Sequence, residues 1–78
     1  MAELGEELRR ERVRRNLTFK DVEQVLHIKT TYLEAIEDGK YDIIPGQVYV
    51  KGFIRNYGNY LDLDGDRLVK VYQGQVGD

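Results

Sequence analysis

A chain of 78 residues has room for one domain, and a domain this small buries only ~60% of the surface its unfolded chain exposes, so every apolar stripe counts. It contains no cysteine, which excludes disulfides, thiolate metal sites and thiol nucleophiles. With 12 Lys and Arg against 14 Asp and Glu, the net charge of −2 argues against a protein held to polyanions by bulk charge. No run approaches the ~18–20 apolar residues of a membrane span, and the opening MAELGEELRRER is charged where a secretory signal would be apolar. The expectation is a soluble, cytoplasmic domain.

Residues 3–16 read as a first helix, with Leu4, Leu8 and Val13 inward and Glu3, Glu6 and Glu7 at the end where the helix dipole favours acids. Thr18 is a good N-cap for a second helix, and Asp21, three residues on, can return the hydrogen bond as a short-armed capping box. Phe19, Val22, Val25 and Leu26 give that helix its inner face. His27, Ile28 and Lys29 form a turn, and a third helix from Lys29 or Thr30 places Tyr32, Leu33 and Ile36 inward before stopping at Gly39, suited to the left-handed position beyond a helix end. Two short helices about a tight turn make a helix-turn-helix. Residues 40–45 are a loop whose Tyr41, Ile43 and Ile44 plug the bundle from below, and Pro45 sits near the first-turn position where proline costs little.

The fourth helix, from Gln47 to about Leu61, carries two apolar stripes. At about 100° per residue, Val50, Ile54, Tyr57 and Leu61 fall on one core-facing line. Tyr49, Phe53 and Tyr60 form a second line rotated by one residue, with Lys51, Arg55 and Asn59 on the wet side. A small domain struggles to cover both, so the aromatic line is the first candidate for a partner surface, with Tyr60 assigned to the core. Gly52 and Gly58 each cost ~1 kcal/mol relative to alanine inside a helix, so something approaches the backbone there. A fifth helix, capped by Asp64 or Asp66, turns Leu68, Val69 and Tyr72 inward, and the tail from Gly74 to Asp78 frays.

Other signals have plain explanations. Arg9, Arg10, Arg12, Arg14 and Arg15 are read first as ion-pair and solubility residues and second as a phosphate patch. The single histidine, His27, lies in a turn with no acid at ligand spacing. Asp62, Asp64 and Asp66 open like a calcium loop but lack its later ligands, so helix capping is the better reading. No nucleophile stands beside a base and no glycine-rich phosphate loop occurs, so neither an enzyme, a cofactor, a metal nor a small-molecule ligand is expected.

The segment YLEAIEDGKYDIIPGQVYVKGFIRNYGNYL, and with it nearly the whole chain from Leu4 to Leu68, resembles the cytoplasmic domain of the RodZ family of bacterial cell-shape proteins. A plain repressor would match the first half equally well, but not the part after Pro45. The resemblance implies an all-α, five-helix bundle of the Xre and lambda-repressor-like class over residues 1–73, with residues 74–78 leading towards a juxtamembrane stretch, a membrane span and an extracytoplasmic domain that are not present here. It also implies a location at the cytoplasmic face of the inner membrane and, as partner, the actin-like filament protein MreB. By carry-over Tyr49 and Phe53 match the aromatic pair that contacts MreB, with Lys51, Arg55 and Tyr57 nearby and Gly52 permitting close approach. Helical spacing, which carries more weight for Tyr57, puts that residue on the core line instead.

The alternative is sequence-specific DNA binding. Lys29, Thr30, Thr31 and Glu34 would then face the major groove. They are poor readers beside Arg, Asn or Gln, and the segment 28–42 sums to −2, from Lys29 and Lys40 against Glu34, Glu37, Asp38 and Asp42.

Overall fold

The computed structural model describes residues 3–76. They form α1 (Glu3–Arg14), α2 (Phe19–Leu26), α3 (Thr30–Asp38), a 3₁₀ turn (Tyr41–Ile43), α4 (Gln47–Tyr60) and α5 (Gly65–Val76). The described residues contain no strand, as an all-helical bundle requires.

Local chemistry sets most boundaries. The Thr18 hydroxyl accepts from the Asp21 amide at 3.1 Å and the Asp21 carboxylate accepts from the Thr18 amide at 2.9 Å, so the short-armed capping box closes in full. At the far end of α2, His27 adopts a left-handed φ of 58°. Helix α3 stops at Gly39, where φ is 74° and the next amide, Lys40, donates to Ala35 O at 2.8 Å. The Asp64 carboxylate accepts from the Arg67 amide at 3.1 Å and so caps α5. Pro45 lies outside α4, because Gly46 is the residue that precedes its first turn.

The core gathers Leu4 and Leu8 of α1, Val22 of α2, Leu33 and Ile36 of α3, and the α4 line of Val50, Ile54, Tyr57 and Leu61 against Leu68, Val69 and Tyr72 of α5. Ile28 and Ile44 close it from the two connecting turns. Three expected core residues lie outside. Val13 is 55% exposed because the Leu4–Leu8 line continues one turn later at Arg12 rather than Val13. Val25 is 54% exposed, since the inner face of the eight-residue α2 is taken by Val22 with Phe19 and Leu26 at its flanks. Ile43 ends the 3₁₀ turn 46% exposed, whereas Ile44, the next residue and in an extended conformation, turns in. At the C-terminal end, α5 runs through Val76, and the Tyr41 hydroxyl donates to Gln75 Oε1 at 3.0 Å. Helix extends three residues past the expected boundary at 73, and residues 77 and 78 of the expected tail lie outside the described residues.

A buried polar network ties three helices together. The Arg12 Nε donates to Glu37 Oε2 at 2.8 Å, Nη2 to Oε1 at 3.2 Å and Nη1 to Leu17 O at 2.8 Å, while the Tyr57 hydroxyl donates to Glu37 Oε2. The guanidinium also lies 4.1 Å from the centroid of the Phe19 ring. Its hydrogen bonds to Glu37 raise the pKa of Arg12 against the opposing effect of burial. Burial, and then the hydrogen bond to Glu37, push the Tyr57 phenol far above its ordinary range. Glu37, counted by sequence among the acids of segment 28–42, is thus a buried residue of the core.

Helices α4 and α5 meet along glycines. A Cβ on Gly58 would stand 2.7 Å from Leu68 Cδ1 and 3.2 Å from the Cα of Gly65, and a Cβ on Gly65 would stand 2.4 Å from Arg55 O. The Gly65 amide donates to Asn59 Oδ1 at 2.9 Å. The close approach expected at Gly58 is therefore the neighbouring helix.

Candidate docking surface

The core line fixes the rotation of α4, and with it the aromatic line. With Val50, Ile54 and Tyr57 at 1% exposure or less, Tyr49 and Phe53 turn towards the seam between α4 and α3. Phe53 is half-buried and Tyr49 is 59% exposed. Their rings are tilted at 34° with centroids 6.2 Å apart. Phe53 in turn stacks on Tyr32 of α3, with centroids 5.8 Å apart and planes inclined at 19°. The outcome is one row, Tyr32–Phe53–Tyr49, whose wet end is Tyr49. Such pairs contribute roughly 0.5–1.5 kcal/mol each beyond the area they bury, which favours this arrangement of the rings.

Around it, Val48 is 80% exposed. Val48 belongs to neither apolar line of α4, so helical spacing carries no signal for it. An added Cβ at Gly52 would meet no atom within 4 Å, so no helix of this domain accounts for the glycine there, in contrast to Gly58. Lys51 is half-buried and, like Arg55 one turn on, lies across the helix from the aromatic line, where Arg55 Nε donates to Asp66 Oδ1 at 2.8 Å. Tyr60 is half-buried against the core, as assigned. Tyr57 leaves the set of contact residues: its side chain is fully enclosed and its hydroxyl is committed to Glu37.

The residues that would read DNA sit on the outer side of α3. Lys29, Thr31 and Glu34 are exposed and Thr30 is half-buried. Lys29 occupies the N-cap position without a side-chain hydrogen bond to the helix, and its Nζ lies 5.8 Å from the centroid of the Tyr32 ring. The arginine cluster is largely spent on ion pairs: Arg12 with Glu37, Arg14 and Arg15 with Glu11, and Arg15 also with Asp62 at 3.1 Å. Hydrogen bonds from Arg14 and Arg15 draw the Glu11 carboxyl down to about 2. The three spaced aspartates serve separate ends, Asp62 holding Arg15, Asp64 capping α5 and Asp66 holding Arg55.

Comparison with known proteins adds a family. Residues 7–68 match the family described as a helix-turn-helix domain. The chain is similar to the uncharacterized membrane protein YmfM of Bacillus subtilis (strain 168), at 37% identity over 60 residues that cover 77% of this chain and 21% of that protein. It is also similar to the cytoskeleton protein RodZ of Streptococcus pneumoniae (strain ATCC BAA-255 / R6), at 28% identity over 69 residues covering 88% of this chain and 25% of that protein. The chain thus spans a quarter or less of either relative's length. No helix among the described residues is long and apolar enough to cross a membrane. No solved structure matches the chain.

Proposed function

The chain belongs to this helix-turn-helix domain family as a RodZ-like member, and on that premise we propose that it is a cell-shape adaptor domain that docks the actin-like MreB filament through α4. The parent protein is anchored in the membrane, as the similarity to a membrane protein suggests, and the domain works at its cytoplasmic face. The observation that carries this reading is Tyr49, a large aromatic side chain 59% exposed at the end of a pre-stacked row. Ordering such a ring before binding lowers the entropic cost of docking.

In this mechanism Tyr49 and Phe53 supply the apolar anchor and Gly52 leaves room for the partner's backbone. Lys51 and Arg55 orient the domain against acidic groups on the filament. The Arg55–Asp66 pair is a surface pair whose rearrangement costs at most ~1 kcal/mol, so Arg55 can be redirected on contact. Recognition, not chemistry, is the activity, and many copies tethered to one membrane along one filament multiply a weak single contact.

Sequence-specific DNA binding draws on the same α2–α3 pair and is the weaker reading. Exposed Glu34 and Asp38 stand on the helix that would have to approach phosphates, and the N-cap of α3 is a lysine that makes no capping bond.

The test is co-sedimentation with purified MreB filaments. Tyr49→Ala is expected to weaken binding by about 30-fold, the effect of losing a hot-spot contact of ~2 kcal/mol, while shifting stability by less than ~0.5 kcal/mol as a surface change. Phe53→Ala weakens binding similarly but also lowers stability, since the ring is half-buried. Undiminished filament binding by a folded Tyr49→Ala/Phe53→Ala double variant would remove α4 as the docking element.

A further inference from the structure

The aromatic row does not end on α4. Phe53 is its middle ring, and its better-aligned neighbour is Tyr32, which belongs to the helix-turn-helix. Beyond Tyr32 stands the ammonium of Lys29, 5.8 Å from the ring centroid and on an exposed residue. From Lys29 to Tyr49 the contacts are therefore continuous, cation to ring to ring to ring, across the seam between α3 and α4. For a partner that covers Tyr49 and Phe53, Tyr32 is the next ring in contact.

We propose that the docking surface is composite, with Tyr32 as a third aromatic contact and Lys29 as its charged edge, so that the first turn of α3 is occupied by the same acidic-faced protein partner that covers α4. This rests on the docking function proposed above and adds to it the role of α3. One feature of the geometry favours a protein over a nucleic acid here. The row is apolar, with the ammonium of Lys29 at its border, which is the arrangement of an interface core with a polar rim. A further consequence is exclusive occupancy: with Lys29 and Tyr32 covered, the N-terminal end of α3 is closed to duplex DNA.

Three single variants, Lys29→Glu, Tyr32→Ala and Tyr49→Ala, would be titrated against purified MreB filaments and, separately, against random duplex DNA, with urea unfolding of each variant as control. Lys29 is exposed, so its variant keeps the test valid even where Tyr32→Ala loses stability. The composite surface predicts a loss on the order of fivefold for Lys29→Glu at low salt that shrinks as salt rises. It predicts a loss on the order of 30-fold for Tyr32→Ala. Unchanged filament binding by Lys29→Glu and by folded Tyr32→Ala, with binding lost in Tyr49→Ala, would overturn the composite surface and leave docking through α4 intact. Filament binding insensitive to all three would overturn both. Tight duplex binding that falls with Lys29→Glu but not with Tyr49→Ala, in the absence of filament binding, would also overturn both and assign α3 to DNA.

Discussion

Replacing Arg12 by leucine is expected to be among the most damaging surface-to-core changes this domain can suffer, and the size of the effect follows from what Arg12 leaves behind. Its guanidinium makes two hydrogen bonds to Glu37 and one to Leu17 O, and the Glu37 side chain is 3% exposed. Without Arg12 that carboxylate keeps the Tyr57 hydroxyl as its hydrogen-bond donor and has no counter-charge. Removing one partner of a buried ion pair costs about 3–5 kcal/mol, against a total of about 4–12 kcal/mol for a domain of this length at the usual stability per residue. In urea, with a slope near ~1 kcal/mol per molar for so small a protein, the midpoint followed by far-UV circular dichroism should fall by about 3 M or more. The double variant Arg12→Leu/Glu37→Leu removes the stranded charge and should recover most of the loss, because apolar replacement of a whole buried pair is often neutral or stabilising. A cost below ~1 kcal/mol for Arg12→Leu, or a double variant no more stable than the single, would show that the pair is solvated and refute the reasoning.

Three further outcomes can be checked on the same purified domain. Gly52→Ala meets no neighbouring atom and should stabilise the fold by ~0.5–1 kcal/mol, seen as a higher urea midpoint, while filament binding falls if the partner's backbone passes there. Gly5→Ala should do the opposite for stability: its Cβ would lie 2.2 Å from Glu37 O and 2.7 Å from Ile36 O, so α1 must move off α3 at a cost of ~1–3 kcal/mol, read from the same denaturation curve. In alkali, the Tyr57 phenol is raised above its ordinary 10.0 and burial lifts Tyr41 to about 12. Groups with raised folded values stabilise fully below pH ~10 and lose that contribution above it, so stability should decline by about 1.4 kcal/mol per pH unit for Tyr57. Tyr57→Phe should flatten this alkaline slope, and a slope unchanged by that variant would count against the burial argument.

The helical skeleton was legible because its signals are local. Thr18 with Asp21, Gly39 and Asp64 act within four residues of themselves, and the Val50–Leu61 line needs only the helical period. What escaped depends on partners distant in sequence. Glu37 meets Arg12 across 25 positions and Tyr57 across 20, so its burial left no trace in the run of acids around it. Tyr32 was read as core, and its stacking on Phe53 could not be inferred before the packing of α3 on α4 was known. Val13 shows the converse failure, an apolar residue counted inward where the true line passes through an arginine. At the candidate surface, the exposure of Tyr49 agrees with the surplus stripe inferred from periodicity, whereas Tyr57 shows the limit of carrying contact residues over from a resemblance.

The seam of Gly58 and Gly65 has a mechanical consequence. Side chains that interdigitate can change rotamer under load, but backbone lying against backbone has no such slack, and here Asn59 adds a hydrogen bond across the joint. Helices α4 and α5 therefore behave as a single stiff lever. Tension or torque applied to α5 passes into α4 through this joint.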